Sequence, residues 1–290
     1  MAIQSLGQAF GWLVKTPLVW LSGIASAAIL MLGWYLYTEI GVNTAISVVL
    51  VLSFVLPALF AGTYGLIAEN STSPSLFGKY AVHGYFRCLL PILLTILIAW
   101  VIWQFIAYLL MAFGMNLMAS TQTAMFILIP IIFFCYFADV TAVVNKLRMF
   151  QSIKDSFLRV MNGSIFTAIF YLMNVMILIA SSFVASFIWT VLAADQLMPL
   201  VSMTESEVLA MTPEEILALF ASPEVIFATF VTISLCALIL VPLLTVYKAV
   251  YFKKTSPIQL PTREEVAAAT AAVAEQEGEY DEKGRWYKYK

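Results

Sequence analysis

The chain has one histidine, His83, and three cysteines, Cys88, Cys135 and Cys236, with no Cys-x-x-Cys spacing. That leaves no histidine-based metal cluster, no histidine catalytic pair within the chain, and no thiol redox motif. Gly-x-Ser-x-Gly, a phosphate-cradling glycine loop and His-Glu-x-x-His are all missing. No catalytic, cofactor-binding or metal-binding residue is therefore expected, and the chain reads as a non-enzyme. Charge is scarce too. Only 11% of residues are charged, where soluble domains carry about a quarter. The net charge of -2 gives no basic footprint, so nucleic acid is not an expected partner.

What remains is apolar. Sixty-two per cent of the 290 residues are hydrophobic, and the few charges fall in clusters with long uncharged stretches between them. Residues 88 to 138 include no charge at all, too many for one crossing at about 1.5 Å per residue and suitable for two. Gly114 and the polar group from Ser120 to Thr123 mark the turn between them. The uncharged lengths predict an all-α, polytopic membrane bundle of six spans, near 17–37, 44–68, 88–113, 123–144, 164–193 and 225–252. Residues 1–254 form the membrane domain and 255–290 a tail.

All fifteen Lys and Arg then fall on one side of this topology: Lys15; Lys79 and Arg87; Lys146, Arg148, Lys154 and Arg159; and the group from Lys248 to Lys290. Basic residues mark cytoplasmic loops. The reading is a multi-pass protein of the cell membrane with both termini cytoplasmic. The loop 195–224 carries six acids and no Lys or Arg, and faces outside. A signal peptide is not expected, because the first apolar run continues past Ala25-Ser26-Ala27 to Thr38.

A threefold internal repeat is suggested. Ser5-Leu6 with Phe10, Ser75-Leu76 with Tyr80, and Ser152-Ile153 with Phe157 precede the odd-numbered spans. In the first and third copies, Leu6, Phe10, Leu13, Val14 and Ile153, Phe157, Val160, Met161 share one helical face. These segments read as amphipathic helices at the cytoplasmic interface. Each even-numbered span holds an interior proline, Pro57, Pro130 or Pro242, predicting a kink after each straight span. In the outer loop, Thr212-Pro213-Glu214-Glu215 opens a short helix, with Thr204 a second possible start. Thr262 with Glu265 opens another in the tail.

Asp139 is the one acid within a span, and intramembrane charge is a functional candidate. It lies about two turns before Lys146. Pairing with Lys146 or Arg148 is the structural reading, and an ion or proton site the alternative. Lys79, His83 and Arg87 recur at spacing four on one helical face. With Lys146, Arg148, Lys154 and Arg159 they form a candidate belt for anionic lipid headgroups, or ordinary cytoplasmic charge. Gly23, Ser26 and the stretch Ala61-Gly62-Thr63-Tyr64-Gly65 permit close helix approach.

Ala61-Gly62-Thr63-Tyr64-Gly65, Gly84-Tyr85-Phe86-Arg87-Cys88-Leu89-Leu90-Pro91, Phe137-Ala138-Asp139-Val140, Ser152 with Ser156-Phe157, and Leu260-Pro261-Thr262-Arg263-Glu264-Glu265 carry a resemblance over most of the chain. It resembles a family of archaeal, methanogen-type six-span membrane proteins of unknown function. It is more distantly similar to the membrane domain attached to some glycerophosphodiester phosphodiesterases, whose catalytic domain has no counterpart here. The resemblance implies no catalytic residues. The expected function is a non-enzymatic membrane scaffold or accessory subunit that packs with lipids, a protein partner or a second copy of itself. The alternative is a transporter or lipid-handling protein with a cavity between kinked helices.

Overall fold

In the computed structural model, residues 1–202, 211–212, 220–255, 279–280 and 286–287 are described. Among them, six helical segments are long and apolar enough to cross a membrane: Pro17–Glu39, Val42–Ala68, Tyr85–Ala112, Leu117–Val144, Ile165–Leu192 and Pro223–Thr255. They fall where the uncharged lengths put them. The chain separates into two compact units, Met1–Lys253 and Lys254–Lys290.

Helix α1 (Ala2–Lys15) is followed by a short 3-10 turn, Pro17–Trp20, that runs into α2 (Leu21–Glu39). The second span is two helices, α3 (Val42–Ser53) and α4 (Leu56–Ala68). They are parted just before Pro57, whose ring crowds the preceding turn and whose nitrogen cannot donate. Then come α5 (Pro74–His83), α6 (Tyr85–Ala112), α7 (Leu117–Cys135), α8 (Ala138–Val144), α9 (Met149–Asn162) and α10 (Ser164–Leu192). Helix α11 (Ala194–Ser202) lies in the acidic loop, and α12 (Pro223–Thr255) completes the bundle. Three times a short helix precedes two long segments. The helices expected at Thr204, Thr212 and Thr262 lie outside the described residues. In the second unit, Glu279–Tyr280 pairs antiparallel with Trp286–Tyr287.

Of the three prolines expected to kink their spans, Pro57 stands at a helix break. Pro130 and Pro242 sit inside continuous helices, and α6, read as a straight span, also contains a proline, Pro91. The fourth span is interrupted at Tyr136-Phe137, six residues beyond Pro130. Near Pro242, the Leu238 carbonyl that the proline cannot serve is approached by Gly23 of α2, where a Cβ would collide with it.

Burial concentrates at one end of the bundle. From Thr245 to Phe252 every residue of α12 is buried. This stretch is packed by Ala61, Tyr64 and Ile67 of α4, Cys88 of α6, Phe137 before α8, Val140 and Val143 of α8, and Phe170 of α10. The Phe170 and Tyr251 rings stack at 4.2 Å between centroids, a geometry that adds to simple area burial. Lys253 Nζ donates to the Ile67 and Ala68 carbonyls, both at 2.8 Å, closing the end of α4.

The short helices pack by small residues. On α1 the bundle-facing residues are Ala2, Ser5, Ala9 and Leu13, while Ile3, Phe10 and Val14 are exposed. On α9 Ser152 and Ser156 are buried, and Phe150, Phe157 and Met161 are exposed. The apolar stripe read from the sequence therefore divides: part faces the bundle and the bulky part faces out. Ser75, unlike Ser5 and Ser152, is exposed. Helix α5 instead uses aromatics, with Phe77 against Gly62 and Tyr80 against Gly65, where a Cβ would collide with the ring.

Two measurements test this packing. Gly65→Val should lower thermal stability in detergent by about 1–3 kcal/mol, the range for overpacking; an unchanged midpoint would show that α5 does not seat on α4. Tyr80 donates to Glu69 Oε1 at 2.7 Å, and burial, with this bond second, pushes its hydroxyl from 10.0 up to about 12. Its contribution should be complete below pH 10.0 and fade as the pH rises towards about 12. The absorbance titration of wild type minus that of Tyr80→Phe should show the step near the upper value; a step at the ordinary value would remove the bond from solution.

Candidate functional site

A carboxylate inside a bilayer needs a counter-charge and hydrogen bonds, because each unmet group costs several kcal/mol. Asp139 has all of them. It lies in the first turn of α8, just past the break in the fourth span, and is 7% exposed. Its Oδ1 is 2.5 Å from Lys248 Nζ of α12 and accepts from the Val140 backbone N–H at 2.8 Å. Its Oδ2 accepts from the Tyr64 hydroxyl of α4 at 2.7 Å. Lys248, 8% exposed, also lies 4.5 Å from the Tyr136 ring centroid and 5.8 Å from that of Tyr64. Both distances are within cation–π reach.

The break that places Asp139 is bridged by side chains of neighbouring helices. Phe137 N–H, which would serve the Phe133 carbonyl in a continuous helix, donates to Ser156 Oγ of α9 at 3.1 Å. Ser156 Oγ in turn donates to the Phe134 carbonyl at 2.7 Å, and the Tyr171 hydroxyl of α10 donates to the Phe133 carbonyl at 2.6 Å. Two side chains from neighbouring helices thus replace the missing turn, as buried backbone in lipid requires.

Beside the pair lies a cavity of about 140 Å³, lined by Pro91, Thr95, Cys135, Tyr136, Asp139 and Lys248 among others. It is below the roughly 300–1,000 Å³ of small-molecule sites and large enough for a few waters. The arrangement holds charge in place and joins α4, α8 and α12. Among the described residues, no three metal-ligating side chains come together.

The pairing corrects the expected one. Lys146 and Arg148, in the turn between α8 and α9, are exposed, and Asp139 is paired with Lys248. Lys248 itself, counted with the cytoplasmic charges, is buried within the last span. Lys79, His83, Arg87 and Lys154 are exposed; His83 Nδ1 lies 2.9 Å from the Lys79 carbonyl oxygen. Arg159 is partly buried, 4.2 Å from the Phe252 ring centroid and within 3.5 Å of Asp155. Sequence reasoning missed Tyr64, Tyr136, Ser156 and Tyr171 as polar partners. The available signal was Lys248 lying inside the predicted sixth span.

No protein-family model, curated protein or solved structure matches this chain.

Removing one partner leaves the other charge buried and unpaired. Lys248→Met should therefore destabilise the bundle by about 3–5 kcal/mol. Adding Asp139→Asn to it should recover part of that loss. Thermal unfolding of the two single variants and the double variant measures the coupling; additive losses would mean that the two groups do not interact.

Proposed function

We propose that the protein is a non-enzymatic scaffold or accessory subunit of the cell membrane. Its termini are cytoplasmic, and it belongs with the archaeal six-span family that it resembles. The observation that carries this reading is how the intramembrane polar chemistry is used. Asp139 and Lys248 are bound to each other and to Tyr64 and Tyr136, and the adjoining space is about 140 Å³. Polar groups committed to one another in this way support assembly over turnover.

Large apolar side chains at the opposite end favour lateral contact. Phe105 and Tyr108 of α6, Phe126 of α7, and Phe183 and Phe187 of α10 are exposed. Lipid covers them, or the spans of a partner or second copy. The cytoplasmic end, drawn together around α12, acts as the rigid base. The short helices α1, α5 and α9 lie at the cytoplasmic interface, and the threefold order of elements is a repeat with pseudo-threefold packing. The tail 255–290 and the outer loop contact the partner.

Deleting 255–290 should abolish co-purification of the partner while the thermal midpoint of the bundle stays within a few degrees. Capture that persists unchanged removes the tail from the interface. Asp139→Asn in liposomes separates this reading from transport: a folded variant that loses a measured flux would favour the transporter alternative.

A further inference from the structure

A second cavity, of about 460 Å³, opens between the end of α1 and the connection from α4 to α5. Its lining includes Gln8, Trp12, Lys15, Thr16, Asn70 and Thr72. Lys15 is the one charged side chain among the lining residues, and no carboxylate lines the space. Gln8 and Asn70 supply amide donors, and Thr72 a hydroxyl. Thr16 lies in the floor, 1% exposed, and its hydroxyl has no hydrogen-bond partner among the described residues. A buried hydroxyl left unpaired is costly, and a ligand oxygen would relieve it. The Leu13 carbonyl at this end of α1 is already taken by the Trp20 indole N–H at 2.8 Å, which reduces the acceptor character of the wall.

The donors and the single positive charge fit a singly charged anion with several acceptor oxygens. The position selects its source. Lys15 and Thr16 immediately precede the first span, which starts at Pro17, so the cavity sits at headgroup depth. Helix α1 turns Ile3, Phe10 and Val14 away from the bundle, as a helix lying among lipids does. Trp12 offers an amphipathic wall suited to the same boundary.

We propose that this cavity binds the anionic phosphodiester headgroup of a membrane lipid, with Lys15 facing the phosphate and Thr16, Gln8, Asn70 and Thr72 donating to its oxygens. The site is separate from the candidate belt of Lys79, His83, Arg87, Lys146, Arg148, Lys154 and Arg159, and it does not depend on the scaffold reading.

Native mass spectrometry of the full chain, titrated with phosphatidylglycerol and in parallel with phosphatidylcholine, tests it. Wild type should retain phosphatidylglycerol preferentially. Lys15→Gln should weaken that retention about fivefold, the effect of one basic group at an anionic surface, and Lys15→Arg should restore it. Thr16→Val should weaken binding by a similar factor, about that of one hydrogen bond. Without lipid, this variant should be at least as stable as wild type, because it removes an unpaired hydroxyl; that separates lost binding from lost folding. Lys254→Gln should leave retention unchanged. Glycerol phosphate should not displace the lipid at comparable concentration; displacement would assign the site to a soluble phosphate ester and overturn the lipid source. Equal retention of the two lipids, or Lys15→Gln binding like wild type, would overturn the site.

Discussion

The ion pair between Asp139 and Lys248 is the constraint around which the bundle is arranged. A single buried charge at this depth is untenable, so α8 and α12 must meet. Tyr64 brings α4 to the same point, and its hydroxyl meets Asp139 at 2.7 Å. The continuous burial of α12 from Thr245 to Phe252 follows, since helices gather on every side of it. Such a pair contributes specificity more than net stability. It fixes the point at which α8 and α12 meet.

The break in the fourth span serves that contact. At Tyr136-Phe137 side chains stand in for backbone: Ser156 bridges Phe137 N–H and the Phe134 carbonyl, and the Tyr171 hydroxyl donates to the Phe133 carbonyl. These bonds tie α9 and α10 to the same end. Small residues then set how closely the remaining helices approach. Gly62 and Gly65 admit Phe77 and Tyr80, and Gly23 admits the backbone of α12. One end becomes dense with aromatic and polar contacts, while the other presents aliphatic and aromatic side chains outward.

Span positions were legible because hydropathy acts locally: a charge-free length near twenty residues has to form its own hydrogen bonds, and a helix does so. The predicted and observed spans agree to within a few residues except at the start of the fourth, where residues 120–123, expected in the turn, lie inside α7 and the helix begins at Leu117. The short helices were legible as helices, but the exposure of Phe10 beside the burial of Ser5 was not. In lipid, an apolar residue can satisfy itself on either side, so hydropathy cannot say which face meets protein. Where a helix parts is set by neighbours in the same way. Proline removes a bond wherever it stands, but neighbours decide whether the helix parts there, and in the fourth span it parts at Tyr136-Phe137 instead of Pro130.

The candidate site divides along the same line. That Asp139 was unusual could be read from the sequence, because one acid in an apolar span stands out by itself. That Lys248 answers it could not be read with the same ease, because Lys248 stands close to Lys253 and Lys254 and resembles their loop charge. Likewise Thr16, Asn70 and Gln8 share a cavity only once the fold brings the end of α1 beside the connection from α4 to α5. Composition and charge spacing alone determined that the chain is helical and where its six segments long and apolar enough to cross a membrane lie. Tertiary structure decided which charges meet, which polar groups bridge the broken helix and which hydroxyls, Thr16 among them, are left unpaired, because these depend on contacts between residues as distant as Asp139 and Lys248.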